Sequence, residues 1–216
     1  MSLSYFKNKL FYISTSALFL LLILFLRIYL NSYLNIPLHF DEAQYWSWSK
    51  DPEWGYFSKP PMLAWIISVS NYFCGNTEAC IRVSMPILYY MSTIFIFFST
   101  KIVTQNSFLS AFSAVIFNLI PGITFSSFVA TTDVPLIFFS SGFTLLFLTI
   151  YKKKDPSYFY FFILSVFFSL GFLSKYAMAY FFISILITTV FFEDIRKKFL
   201  NIKGLLFLLV FFIFIS

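Results

Sequence analysis

The chain has 216 residues, 60% of them hydrophobic and only 11% charged, with 34 phenylalanines and a formal net charge of +6. A soluble globular domain carries roughly a quarter charged residues, so this composition excludes that class and points to a polytopic α-helical membrane protein. The surplus of positive charge is not a nucleic-acid signal. Lys7, Lys9, Lys101, Lys152, Lys153, Lys154, Arg196, Lys197, Lys198 and Lys203 fall in short connections between apolar runs, where basic residues set membrane orientation.

The N-terminal stretch MSLSYFKNKLFYISTSALFLLLILFL has a basic start and an apolar run. The run is long, has no A-x-A-like cleavage site and is followed by more spans, so it reads as an uncleaved first helix over about residues 10–34, with a cytoplasmic N-terminus. Arg27, in its outer part, is expected to snorkel toward the far interface or a polar cavity. An outer loop of about residues 37–80 follows. Within it AQYWSWS is a candidate short helix, and PPMLAWIISVSNYF is too short to span and is expected to lie near the interface with its tryptophan as anchor. Cys74 and Cys80 flank GNTEA in this loop; a disulfide in an oxidising compartment and two unpaired thiols both fit the spacing.

From Arg82 to Lys101 the chain is expected to return inward. It goes out over about 107–124, where Pro121 and Gly122 loosen the helix end, and re-enters over about 134–151 to the KKK triplet. Further spans are expected over about 158–173 and 176–192. A seventh starts near Gly204 and is still apolar at Ser216, which reads as the N-terminal part of a longer transmembrane domain. The expected architecture is all-α, with about seven transmembrane helices in a single domain, 1–216, plus the interfacial helix.

This alternation collects Asp41, Glu42, Lys59, Asp133 and Lys175 on the outer face, at or near helix ends. Ionisable groups at membrane level are costly unless paired or hydrated, and they commonly mark function. Adjacent side chains on a helix point about 100° apart, so one of Asp41 and Glu42 can face a cavity while the other caps or pairs. Asp41 is the candidate base or metal ligand; a helix-dipole role for the pair fits equally well. Lys59, held by Pro60 and Pro61, reads as a phosphate clamp or a snorkelling lysine. Asp133 in ATTDVPL has the look of an N-cap with proline in the first turn. Lys175 is a connector residue or a phosphate or acceptor contact. Tyr45 and Tyr56, with Trp46, Trp48 and Trp54, fit sugar or prenyl contacts and equally an aromatic belt.

His39 is the only histidine, so a zinc site is disfavoured for want of ligands, and an oxygen-rich divalent-cation site using Asp41 is the metal alternative. No Walker A, Rossmann or nucleophile-elbow motif is present. A transporter reading is disfavoured because no repeat of broken helices is visible and the polar residues gather at one face. An assembly subunit or inactive remnant is the other alternative.

DEAQYW, GYFSKPPMLAW, TTDVPL and GFLSKYAM, in this order, resemble the bacterial members of glycosyltransferase family 39, the protein-mannosyltransferase-like and aminoarabinose-transferase-like enzymes of the GT-C superfamily. The resemblance covers about residues 10–185, and its first two motifs are the specific ones. It implies a multi-spanning fold in a bacterial inner membrane, a periplasmic active site and a polyprenyl-phosphate-linked sugar donor, with no nucleotide. It implies Asp41 as base or acceptor-orienting group with Glu42 beside it, Lys59 on the donor phosphate and Asp133 lining the cavity; the acceptor is a lipid, protein or glycan. The sequence departs from the aminoarabinose branch at Ser58, where that branch places a metal-binding acid, and those enzymes are far longer.

Overall fold

The computed structural model describes residues 3–34 and 36–215, with side chains from residue 11 onward. The side chains of Lys7 and Lys9, which enter the expected orientation, and the chain end at Ser216 lie outside the described set. Among the described residues the chain is all helical. It runs through α1 (Leu3–Tyr33), α2 (Phe40–Ser49), α3 (Met62–Cys74), α4 (Glu78–Arg82), α5 (Ser84–Thr104), α6 (Ser107–Leu119) and α7 (Pro121–Ser126). It continues through α8 (Asp133–Lys152), α9 (Tyr158–Phe172), a 3-10 turn (Tyr176–Met178), α10 (Ala179–Phe191), α11 (Glu193–Phe199) and α12 (Ile202–Ile215).

Among the described residues three stretches are long and apolar enough to cross a membrane: Phe11–Tyr33, Glu78–Thr104 and Asp133–Lys152. The pair α11–α12 qualifies as a fourth if its 61° bend is one broken span. The helices α3, α6, α9 and Tyr176–Phe191 are shorter apolar elements of 10–17 residues. By length and composition, therefore, three or four of the seven expected crossings stand as full spans. The shortening has local causes. Asn106 caps α6 by accepting from the backbone N–H groups of Phe108 (2.9 Å) and Leu109 (3.3 Å). The helix then stops at Ile120, whose extended backbone leads into Pro121 at the first position of α7.

The membrane helices pack in the order α1, α6, α5, α8, α9, α12, each against the next. Small residues permit the approach, as expected where apolar transfer gives helices no drive to associate in lipid. Gly142 of α8 seats the ring of Phe167 from α9, which is wedged against Phe95, Phe138 and Phe139. A Cβ at Gly142 would overlap this ring, so the ring or the helix must shift. Gly142→Ala is therefore expected to destabilise the bundle by about 1–3 kcal/mol, read as a lower midpoint of thermal unfolding in detergent; an unchanged midpoint would show that Phe167 repacks freely. Next along the seam, Ser165 Oγ donates to the Phe207 carbonyl at 2.6 Å, joining α9 to α12.

Arg27 departs from the snorkelling expectation. It is buried, and its guanidinium donates to Asn118 Oδ1 (3.2 Å), the Asn118 carbonyl (2.7 Å) and Thr124 Oγ1 (3.2 Å). The break before Pro121 takes that carbonyl off the helical ladder, and Arg27 supplies the missing donor. Four residues on, Asn31 Nδ2 donates to the Ser127 carbonyl at 3.2 Å. Two side chains of α1 thus fix α7 and the segment after it.

Helix α3 also differs from a purely interfacial helix. Leu63, Ala64 and Ile67 are fully buried, in one cluster with Tyr45, Ile81, Met85, Tyr89 and Val134. Its Trp65 donates from Nε1 to the Glu53 carbonyl at 2.8 Å and meets Trp54 edge to face, so it pins the preceding loop. Cys74 and Cys80 are joined as a disulfide across Cα atoms 5.8 Å apart, which closes the turn between α3 and α4.

Candidate active site

The ends of several helices converge on a cavity of about 570 Å³ lined by Asp41, Glu42, Tyr45, Lys59, Asp133 and Lys175, together with His39, Pro60, Ser174 and residues 129–132. Six of the seven residues singled out as site candidates from the sequence therefore share one chamber. The seventh, Tyr56, is not on its lining: its ring stacks on Trp48 with centroids 4.5 Å apart, and its hydroxyl donates to the Trp48 carbonyl at 3.1 Å.

Helix α2 begins where His39 takes an extended backbone and its N–H donates to Glu42 Oε2 at 2.9 Å, one half of a capping box. That fixes the phase of the helix and divides the two acids. Asp41 faces the chamber and forms an ion pair with Lys59, the two side chains being 44% and 31% exposed. Glu42 turns inward, 1% exposed, and meets Arg82, 3% exposed.

Glu42 is fully engaged. Its Oε1 accepts from Arg82 Nε (2.8 Å) and the Ala130 backbone N–H (2.7 Å), and its Oε2 from Arg82 Nη2 (2.7 Å) and His39 N–H. The remaining Arg82 donors reach the carbonyls of Ile36 (2.8 Å) and Pro37 (3.0 Å). Burial pushes the Glu42 carboxyl upward, but the hydrogen bonds from Arg82, Ala130 and His39 and the Arg82 charge outweigh it and hold the group below the ordinary carboxylate range. This buried pair staples together the chain before α2, the end of α4 and the wall of the chamber at Ala130.

Lys59 is delivered by the turn before α3. Prolines 60 and 61 have no N–H to donate, and the first free N–H, at Met62, bonds to the Leu173 carbonyl at 3.1 Å. Leu173 follows α9 and lies two residues before Lys175, so one backbone bond brings the two lysine-bearing turns together. Lys175 Nζ reaches Asp133 Oδ1 at 2.7 Å, with both side chains about half exposed. Asp133 is thus not the N-cap its sequence context suggested. The helix takes Thr132 as N-cap without a side-chain cap bond, and Asp133 is its first residue, free to turn to Lys175.

The chamber therefore holds two carboxylate–ammonium pairs in partial contact with solvent, each able to exchange its partner for a charged ligand. Lys59 also stands 5.3 Å from the centre of the Tyr45 ring. Among the described residues the Tyr45 hydroxyl and Thr131 Oγ1, both from chamber-lining residues, are buried without a hydrogen-bond partner, so a substrate hydroxyl or phosphate oxygen has two polar groups to satisfy. Burial, then the Asp41 and Tyr176 charges, push the Tyr45 phenol upward, keeping it a donor.

Among the described residues no three His, Cys, Asp or Glu side chains gather into a ligand group, and Asp41 and Asp133 each face a lysine.

Arg82 and the Ala130 N–H were missed from the sequence as parts of the site. Arg82 had a signal: a cation at the mouth of an apolar span needs an acid, and Glu42 had none assigned. The Ala130 amide had none, because a backbone donor is invisible until the chain is folded.

Comparison with known proteins places the chain in a family. A family model described as dolichyl-phosphate-mannose-protein mannosyltransferase matches residues 58–216. Lipid A galacturonosyltransferase RgtD of Rhizobium johnstonii (strain DSM 114642 / LMG 32736 / 3841) is 31% identical over 141 residues, which cover 65% of this chain and 29% of that protein. The match thus spans less than a third of that relative's length. No solved structure matches.

Proposed function

The chain belongs to the dolichyl-phosphate-mannose-protein mannosyltransferase family, and from that premise we propose that it carries the transfer site of a membrane glycosyltransferase. The donor is a sugar linked to a polyprenyl phosphate, the acceptor a hydroxyl, and the chamber opens on the periplasmic face of a bacterial inner membrane. The observation that carries this reading is the Asp41–Lys59 pair in a chamber at the helix ends. There an amphiphilic donor can keep its prenyl tail in lipid while its sugar enters water. The name of the related galacturonosyltransferase supports a lipid-borne acceptor.

At rest Lys59 neutralises Asp41. The donor phosphate competes for the ammonium, and Lys59 shifts to a phosphate oxygen, which frees the Asp41 carboxylate for the incoming acceptor hydroxyl. The acceptor oxygen then attacks the anomeric carbon, and its proton passes to Asp41. The bond from anomeric carbon to phosphate oxygen breaks, and its electron pair leaves with the polyprenyl phosphate. Lys59 stabilises the second negative charge that develops there. Asp133 and Lys175 hold sugar or acceptor hydroxyls, and Tyr45 supplies a neutral donor. Glu42 is a positioning residue, since all its acceptor capacity serves Arg82 and two backbone amides.

Membranes containing the chain are expected to move radiolabelled sugar from polyprenyl phosphate into a lipid-extractable product above the level of membranes without it. Equal label in both would overturn the proposal. Lys59→Ala should lower transfer by about 10²–10³-fold, with Lys59→Arg retaining part of it. A Lys59→Ala variant as active as the parent would remove the phosphate role.

A further inference from the structure

Helices α8 and α9 join two cavities at their opposite ends. Asp133 opens α8 at the chamber described above, and Lys152 closes it about 30 Å away by helical rise. The second cavity has a volume of about 240 Å³ and is lined by Lys154, Asp155, Asp194, Lys197, Lys198 and Lys203, with Asn201. The segments that form it, 152–155 and 193–203, carry seven cations against three acids.

Basic loops alone report topology. Here four of the cations, Lys154, Lys197, Lys198 and Lys203, line one concavity, and the last three are held in place. Lys198 Nζ donates to the last carbonyls of α8, Ile150 (3.3 Å) and Tyr151 (2.7 Å). Carbonyls are neutral, so this ammonium is fixed and its charge stays available to an anion. Lys203 pairs with Asp155 and donates to the Pro156 carbonyl at 2.9 Å. Lys197 pairs with Glu193 on the surface, 71% and 64% exposed, a contact weak enough to be exchanged for a stronger anion. The same segment exposes a run of apolar groups: Phe191, Phe192, Leu200 and Ile202 are 54–76% exposed on either side of the basic helix α11. A soluble phosphate has no use for those side chains, whereas a lipid has acyl chains to lay against them.

We propose that this second cavity binds the phosphate of an anionic phospholipid headgroup, with the acyl chains beside Phe191, Phe192, Leu200 and Ile202. It would seat the α8–α9 and α11–α12 connections on the membrane surface opposite the transfer chamber.

The test measures binding of fluorescent phosphatidylglycerol to the purified 216-residue chain in neutral detergent micelles, with phosphatidylcholine and inorganic phosphate as the other two arms. Lys154→Gln/Lys197→Gln should weaken phosphatidylglycerol binding by about fivefold per lysine. It removes no contact to the main chain, and an equal thermal midpoint in neutral detergent will report that it is folded. Lys152→Gln/Lys153→Gln, an equal charge change outside the cavity lining, should weaken binding clearly less. Equal losses in the two double variants would overturn the site in favour of diffuse charge. Phosphatidylcholine bound as tightly as phosphatidylglycerol would overturn the anionic recognition. Inorganic phosphate competing as well as phosphatidylglycerol would overturn the lipid assignment.

Discussion

Asp41→Asn is expected to cut sugar transfer by about 10²–10⁴-fold while leaving the chain folded. Asparagine keeps the size and one acceptor oxygen of aspartate but cannot take up a proton at neutral pH. Asp41 is nearly half exposed and pairs with the partly exposed Lys59, so the substitution opens no cavity and strands no buried charge. The loss should fall on turnover rather than on donor binding. Lys59, released from its acid, is then free to hold the donor phosphate, and donor affinity should stay level or rise. Asp41→Glu should recover part of the activity, because the base is present but displaced by one methylene. Kinetic constants for transfer, measured for the three proteins at matched expression, test this directly. A fall in donor affinity with unchanged turnover would assign Asp41 to binding.

The largest stability effect is expected one residue on. Arg82→Ala leaves Glu42 as a buried carboxylate without its cation, and such a break costs about 3–5 kcal/mol. Glu42→Ala strands Arg82 and in addition the N–H groups of Ala130 and His39. Both variants should lower the thermal midpoint in detergent, and both should lose activity through the displaced wall at Ala130 rather than through chemistry. The sign of the pH dependence follows from the depressed Glu42 carboxyl. A carboxyl whose folded value lies below its unfolded value, about 4.3, contributes its stability above that value. It loses it as pH falls through the folded one. The parent should therefore lose stability as pH falls below the ordinary glutamate value, about 4.3. Glu42→Gln, weaker at neutral pH, should have a flatter acid limb. Parallel acid limbs for the two proteins would show that Glu42 does not titrate with unfolding.

The helices were readable wherever an apolar run met a charged boundary. α8 ends at the KKK triplet, and α10 stops before EDIRKK, each within a residue or two of the reading from hydropathy. The number of full crossings was not readable, because it depends on breaks. The Ile120 stop before Pro121 and the 61° bend between α11 and α12 shorten elements whose composition alone would let them span. At the site, Asp41, Lys59, Asp133 and Lys175 stood out as ionisable groups at helix ends in an oily chain. Their pairing did not: Lys59 lies 18 residues from Asp41, and Lys175 lies 42 from Asp133. Nothing local joins them, and the Met62–Leu173 backbone bond that draws the two turns together exists only in the folded chain. Arg27 was misread for a related reason. An arginine near a helix end snorkels by default, and only the broken α6–α7 junction beside it offers carbonyls worth burying a guanidinium for.

Transfer of sugar from a polyprenyl phosphate is the reaction we propose for the chamber of Asp41 and Lys59. Its most direct test is transfer of radiolabelled sugar in purified membranes, with the intact chain, Asp41→Asn and Lys59→Ala side by side at equal protein levels. Transfer by the intact chain should collapse in both variants. Equal transfer in all three would contradict it.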